Sequence, residues 1–145
     1  PVDEANALIG TVRPTGHDDL DELLATVQNH LHVVQADLAN PDPDPDDPRV
    51  EPELVETLED RIDGFDEELE PLTSFVLPGG GESGARLHHA RTVTRRAERR
   101  VVELARSEPI NETVGSYLHR LSDLLFTLGR VANARDGEPE ESPTY

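Results

Sequence analysis

Between Thr73 and Arg99 the chain reads TSFVLPGGGESGARLHHARTVTRRAER, and four arginines, Arg91, Arg95, Arg96 and Arg99, fall within nine residues. On a helix, positions three and four apart share a face. Arg91, Arg95, Glu98 and Val102 therefore form one stripe with His88 at its head, beside an apolar stripe of Leu87, Ala90, Thr94 and Ala97. Two guanidinium groups one turn apart can grip phosphate oxygens in bidentate fashion. Glu98, one turn further on, can orient Arg95. The chemistry is that of an anion site. The alternative is structural, with arginines that balance acidic neighbours in salt bridges, and it suits Arg96, Arg99 and Arg100.

Three other groups could serve a ligand. Pro78 stops the segment before it, and Gly79 to Gly81 allow positive φ and close backbone approach. A glycine-rich turn ahead of a helix can hold an anion at the helix N-terminus, or it can be only a flexible turn. The Lys-Ser/Thr of a P-loop does not follow. Phe75 sits on the irregular turn, outside any heptad. It is either a plug for the core or a flat apolar surface offered to a ring-shaped ligand. Tyr117 to Phe126, YLHRLSDLLF, sets Tyr117, His119, Ser122 and Asp123 among leucines. A Ser-Asp pair inside a bundle can hold an arginine of a neighbouring helix. His88 and His119 form no metal signature, no Glu-x-x-His occurs, and the absence of Cys excludes thiolate sites and disulfides; no metal ligand is assigned. No nucleophile elbow, Walker motif or dinucleotide fingerprint is present.

The elements that must position these residues are helices. Leu20, Leu24, Val27, Leu31, Val34 and Leu38 follow a 4-3-4-3-4 spacing, as do Leu87 to Leu104 and Val114 to Ala132. A similar stripe runs from Leu54 through Leu58, Ile62, Phe65 and Leu69 to Leu72, where Pro71 helps to end it. Asp3 to Gly10 reads as the last turns of another helix, closed by Gly10, and Asn111 as the cap of the last helix. With 3% aromatic residues, Leu, Val and Ala must make the core. The expectation is an all-α fold: a five-helix bundle with ferritin-like up-down packing in a single domain, residues 1–136. An acidic Pro/Asp loop over residues 40–49 interrupts it, and 137–145 is a disordered tail. The apolar stripes are narrow, which leaves faces for another subunit.

Charge is sharply partitioned. The net charge is -18, and all 13 basic residues are arginine. Asp37 to Glu70 carries a net -13, whereas Arg86 to Arg106 carries +5. Self-repulsion on this scale opposes compaction at low salt, and screening at molar salt removes most of it, since the Debye length falls to ~3 Å. An acid excess without lysine points to a salt-loaded, halophilic cytoplasm. No apolar run approaches the roughly 20 residues of a membrane span, no signal peptide is visible, and an acidic pI argues against a nucleic-acid partner.

Three strings, VDEANALIG (Val2–Gly10), SFVLPGGGESGARLHHARTVTRRAER (Ser74–Arg99) and YLHRLSDLLF (Tyr117–Phe126), occur in the order found in the PduO-type ATP:cob(I)alamin adenosyltransferases. With the helices between them, the chain resembles that family over nearly its whole length. The resemblance implies a homotrimer with active sites between subunits. It implies transfer of the 5′-deoxyadenosyl group of ATP to cob(I)alamin, with Mg²⁺, giving adenosylcobalamin and triphosphate. It further implies that Arg91 and Arg95 are functional arginines, that Arg91 pairs with Asp3 across the subunit interface, and that Glu98, His119 and Ser122 border ATP. Phe75 matches the residue that crowds the lower face of the corrin, disfavours the lower axial ligand and eases reduction of Co(II) to Co(I). A cobalamin reductase and an adenosylcobalamin-dependent enzyme are the implied partners. The chain has His119 where the family usually has Asn. The family's Thr-Gly-Asp-Gly-rich triphosphate loop is expected ahead of Val2, because VDEANALIG begins in mid-helix. The rival function is a non-catalytic helical module that binds a corrinoid or nucleotide, and cob(I)alamin consumption with triphosphate release separates the two.

Overall fold

The leucine stripes fold as helices wherever no proline or run of like charge interrupts them. The computed structural model describes residues Pro1–Tyr145, with five helices and no strand: α1 Val2–Val12, α2 Asp18–Ala39, α3 Pro52–Asp66, α4 Glu82–Ala105 and α5 Glu112–Arg135. The protein is an all-α five-helix bundle. Its core is one cluster of 24 buried apolar residues, to which α5 contributes most, from Val114 to Ala132. Helix α5 packs along α4 and against α3, while α1 bridges α4 and α2. Pro52 at the start of α3 suits a position whose N–H has no helical partner.

Two helix ends differ from the expectation. Helix α1 runs two residues past Gly10 to Val12. A Cβ at Gly10 would come 3.1 Å from Gln28 Nε2, so this glycine serves the close approach of α1 to α2 and not a helix stop. Helix α3 stops at Asp66, before Leu69 and Leu72. Asp66, Glu67, Glu68 and Glu70 crowd its C-terminus, where the helix dipole disfavours negative charge. Leu69 still packs on the core, but Leu72 is 50% exposed.

Asn111 caps α5, accepting from Thr113 N–H at 3.1 Å. Its amide also donates to Asp37 Oδ2 at 2.8 Å and to the Val50 carbonyl at 2.9 Å. Asp37, 6% exposed, accepts from Val50 N–H as well. The two ends of the Asp/Pro loop are thereby fastened to the start of α5, although most of the loop is exposed. The tail expected to be disordered has no helix or strand, yet it is hydrogen-bonded to the rest of the chain at several points. Glu138 N–H donates to the Asn133 carbonyl (2.8 Å), Leu77 N–H donates to the Glu141 carbonyl (2.8 Å), Ser142 Oγ meets Ser74 Oγ (2.7 Å), and Glu140 binds Arg130.

Candidate active site

The entry to α4 is fixed by Asn133 of α5. Its side-chain oxygen accepts from Gly81 N–H at 3.0 Å and its amide donates to the Gly79 carbonyl at 2.9 Å. Gly79 and Gly80 have φ of 141° and 108°, which disfavours any residue with a Cβ. A Cβ at Gly84 would lie 2.0 Å from Asn133 Oδ1. The glycines are thus there to let Asn133 in. They do not form an anion site: Gly81 N–H is engaged, and the neighbouring hollow is lined by Glu138, Glu140 and Glu141.

Beyond this joint, α4 and α5 border an open cleft of about 810 Å³, which Asp66 and Leu72 also line. Of the seven arginines from Arg86 to Arg106, three are in ion pairs: Arg86 with Glu82 (2.8 Å), Arg96 with Glu4 (2.8 Å) and Arg100 with Glu103 (3.9 Å). The other four, Arg91, Arg95, Arg99 and Arg106, have no carboxylate within 4.0 Å, and all four line the cleft. The helix explains the division. At about 100° per residue, positions 91, 95, 98, 99, 102 and 106 share an arc of about 100°, whereas 96 and 100 point roughly 140–180° from Arg91. Arg99, assigned above to charge balance with Arg96 and Arg100, is therefore a cleft residue. For Arg96 and Arg100 the ion-pair reading stands.

Arg91 is the most constrained of the four. Its Nε is buried with no hydrogen-bond partner. Burial, followed by the charge of Arg95, holds its guanidinium below its ordinary pKa. A desolvated cation beside a second cation, without a counter-charge, favours an incoming anion. Behind it lies His88, 2% exposed, its Nε2 also unpartnered. Burial first, then Arg91, pushes the imidazole pKa down, so His88 is neutral at pH 7. A Cβ at Gly129 would approach this ring to 3.0 Å.

The opposite wall comes from α5. His119 Nδ1 lies 3.2 Å from Glu98 Oε2, and its Nε2 lies 3.9 Å from Asp123 Oδ2. Ser122 donates its hydroxyl to the His119 carbonyl at 2.7 Å, leaving lone pairs free to accept. Asp123 pairs with Arg120 of its own helix (3.2 Å), not with an arginine of another. Leu72, Val102 and Phe126 supply the apolar part of the wall.

Arg91, Arg95, Glu98, His119 and Ser122 are brought together in this one cleft. Asp3 and Phe75 are not. Asp3 is exposed on α1 beside a groove between α1 and α2, and no carboxylate of the same chain meets Arg91. Phe75 is 78% exposed, which excludes a core plug. Arg106 and Arg130 also line the cleft, though sequence gave no cue to them. Arg106 lies past the last turn of α4, and Arg130 sits within a leucine-rich run where a buried cation is unexpected. No group of three or more His, Asp or Glu stands close enough to hold a metal ion.

A family model described as cobalamin adenosyltransferase matches residues 1–132. The corrinoid adenosyltransferase of Bacillus subtilis is 45% identical over 141 residues, covering 94% of this chain and 72% of that protein. That of Mycobacterium tuberculosis is 43% identical over 143 residues, covering 94% and 74%. Among solved structures, a variant PduO-type ATP:corrinoid adenosyltransferase from Lactobacillus reuteri, complexed with cobalamin and ATP, superposes with a TM-score of 0.90 at 34% identity, covering 98% of this chain and 79% of that one. A second variant, complexed with ATP, also gives 0.90 at 34% identity.

Proposed function

The chain belongs to the cobalamin adenosyltransferase family, and on that premise we propose that the α4–α5 cleft is where it transfers the 5′-deoxyadenosyl group of ATP to a corrinoid. The observation that carries this placement is the convergence of four unpaired arginines on one cleft in a chain of net charge -18.

The reaction needs no nucleophile from the protein. The electron pair of cob(I)alamin attacks C5′ of ATP, the Co–C bond forms, and the C5′–O bond breaks with its electrons passing to triphosphate. Cobalt goes formally from Co(I) to Co(III), and the products are adenosylcobalamin and triphosphate. The protein's part is to hold C5′ in line and to stabilise charge on the departing oxygen. Arg91 and Arg95 take the phosphate oxygens nearest the reacting carbon. Arg99 and Arg106 lie farther along the same face and extend the grip along the chain. Glu98 and His119 hold each other at the cleft wall, where Ser122 offers an acceptor to the nucleoside.

Asp3 and Phe75 enter from outside this single subunit's cleft. A homotrimer would bring Asp3 of one subunit to Arg91 of the next, and the unpartnered Nε of Arg91 supports that assignment. Phe75, exposed on its turn, would meet the lower face of the corrin and exclude the lower axial ligand. The chain offers no carboxylate cage for Mg²⁺. Magnesium ordinarily keeps several waters and binds substrate phosphates, and no step here is assigned to it. A cytoplasmic setting suits a reaction that uses ATP and a strongly reducing Co(I) species, with a cobalamin reductase upstream and an adenosylcobalamin-dependent enzyme downstream.

The test is an assay in molar KCl with ATP, Mg²⁺ and chemically reduced cobalamin. Loss of the cob(I)alamin spectrum with stoichiometric triphosphate release is expected. Binding of ATP or corrinoid without either change would overturn the catalytic reading.

A further inference from the structure

We propose that residues Glu138–Ser142 are a strap that aims Phe75, with the Arg130–Glu140 pair as its fastening. The segment Ser74–Gly81 contains no helix or strand, so its polar groups must find partners elsewhere. It finds them in two places. Asn133 holds Gly79 and Gly81. The tail holds the other end, through Leu77 N–H to the Glu141 carbonyl at 2.8 Å and Ser74 Oγ to Ser142 Oγ at 2.7 Å. Phe75 lies between the two residues the tail grips. With 78% of its surface exposed, its ring is not located by packing, and the backbone on either side of it sets its direction.

The tail in turn needs an anchor. Glu138, Glu140 and Glu141 belong to a chain that already carries -18, so charge alone would drive them away. Arg130 prevents this. It is 5% exposed, and its Nε and Nη2 donate to the two oxygens of Glu140 at 2.8 and 3.0 Å in a forked pair. Nη2 also donates to the Glu70 carbonyl at 3.1 Å, which ties the same arginine to the chain leading into the turn. A bidentate, charge-assisted pair on a buried cation is among the strongest fastenings available to an irregular segment. Glu140 is thus a positioning residue for Phe75, acting through the backbone of Leu77. The inference rests on the proposed role of Phe75 at the corrin face.

The experiment compares the parent chain with Glu140→Lys, Glu140→Gln, Ser142→Ala and Phe75→Ala. Three quantities are read: hydrogen exchange at the Leu77 amide, the four-coordinate Co(II) signal in electron paramagnetic resonance with ATP bound, and the rates starting from Co(II) and from prereduced Co(I). Glu140→Lys is expected to speed exchange at Leu77 by about ten- to a hundredfold. It should also reduce the four-coordinate signal and slow the reaction from Co(II) by a larger factor than the reaction from Co(I), the difference being what distinguishes a lost aim of Phe75 from a changed charge at Arg130 in the cleft wall. Glu140→Gln, which can keep one of the two bonds, should fall between it and the parent. If Phe75→Ala leaves the four-coordinate signal intact, the assignment of Phe75 fails and the strap's function fails with it. If Phe75→Ala removes the signal while the Glu140 variants match the parent, the strap alone is overturned. Should Glu140→Lys not fold, unchanged exchange and signal in both Glu140→Gln and Ser142→Ala overturn it equally.

Discussion

Arg91 and Arg96 sit five residues apart on one helix and have opposite fates: one faces a cleft without a counter-ion, the other an exposed ion pair with Glu4. Arg91→Ala should therefore lower kcat/KM by about a hundredfold or more, as loss of one donor to transition-state charge does (~3 kcal/mol). Arg96→Ala should leave the rate alone and change stability by about 0–1 kcal/mol. Equal rates for the two variants in a steady-state assay would refute the placement of the site. Helical spacing alone makes the common face of Arg91, Arg95 and Glu98 legible in the sequence. It fails for Arg99 because clustered arginines look alike until the angle around the axis is worked out. It cannot reach Asp3 or Phe75, whose proposed partners lie outside one folded chain. A second residue-scale expectation concerns pH. Burial depresses the pKa of both His30, bonded to the buried Tyr117 hydroxyl at 3.0 Å, and His88. The unfolded chain, with imidazoles near 6.5, binds more protons than the folded one below that value. Their stabilisation is thus complete above about pH 6.5 and is lost as pH falls toward the depressed folded values. NMR titration should find both imidazoles titrating below the unfolded value of about 6.5 in the folded protein.

Four of the five helices are legible because their core stripes keep one period for four or five turns, whereas α1, of 11 residues, shows only its last turns. Helix ends are less so, since an end is decided by competition. The acidic run at the close of α3 outweighs the apolar positions of Leu69 and Leu72. At Gly10 the close contact with Gln28, invisible in one dimension, decides what the glycine is for. The Gly79–Gly81 turn is the clearest instance: its composition fits an anion loop, but Asn133, more than fifty residues later, takes the site. Asn133→Ala should leave Gly81 N–H and the Gly79 carbonyl without these bonds and cost about 1–3 kcal/mol. For a chain of this size that is a fall of roughly 3–10 °C in Tm, read by calorimetry. An unchanged Tm would show that the turn is not held from α5.

At the scale of the whole molecule, charge sets the conditions. With -18 overall and most of it between α2 and the turn after α3, Tm should rise by several degrees between low salt and molar KCl as repulsion is screened. A flat response would remove the case for a halophilic setting. In molar salt, light scattering should give about three times the 16.0 kDa subunit mass, and a monomer across a wide concentration range would remove the basis for completing Arg91 with a neighbour's Asp3. The α4–α5 pair carries one more consequence. Its closest glycine contacts, Gly84 on Asn133 and Gly129 on His88, lie at one end, and the arginines begin just beyond them. The spacing of α4 from α5 is thus set in part where no ligand touches. Adding a single methyl there, as in Gly84→Ala, should push α4 away from α5, shift Arg91 and Arg95 relative to His119 and Ser122, and loosen the grip on ATP without substituting any cleft residue.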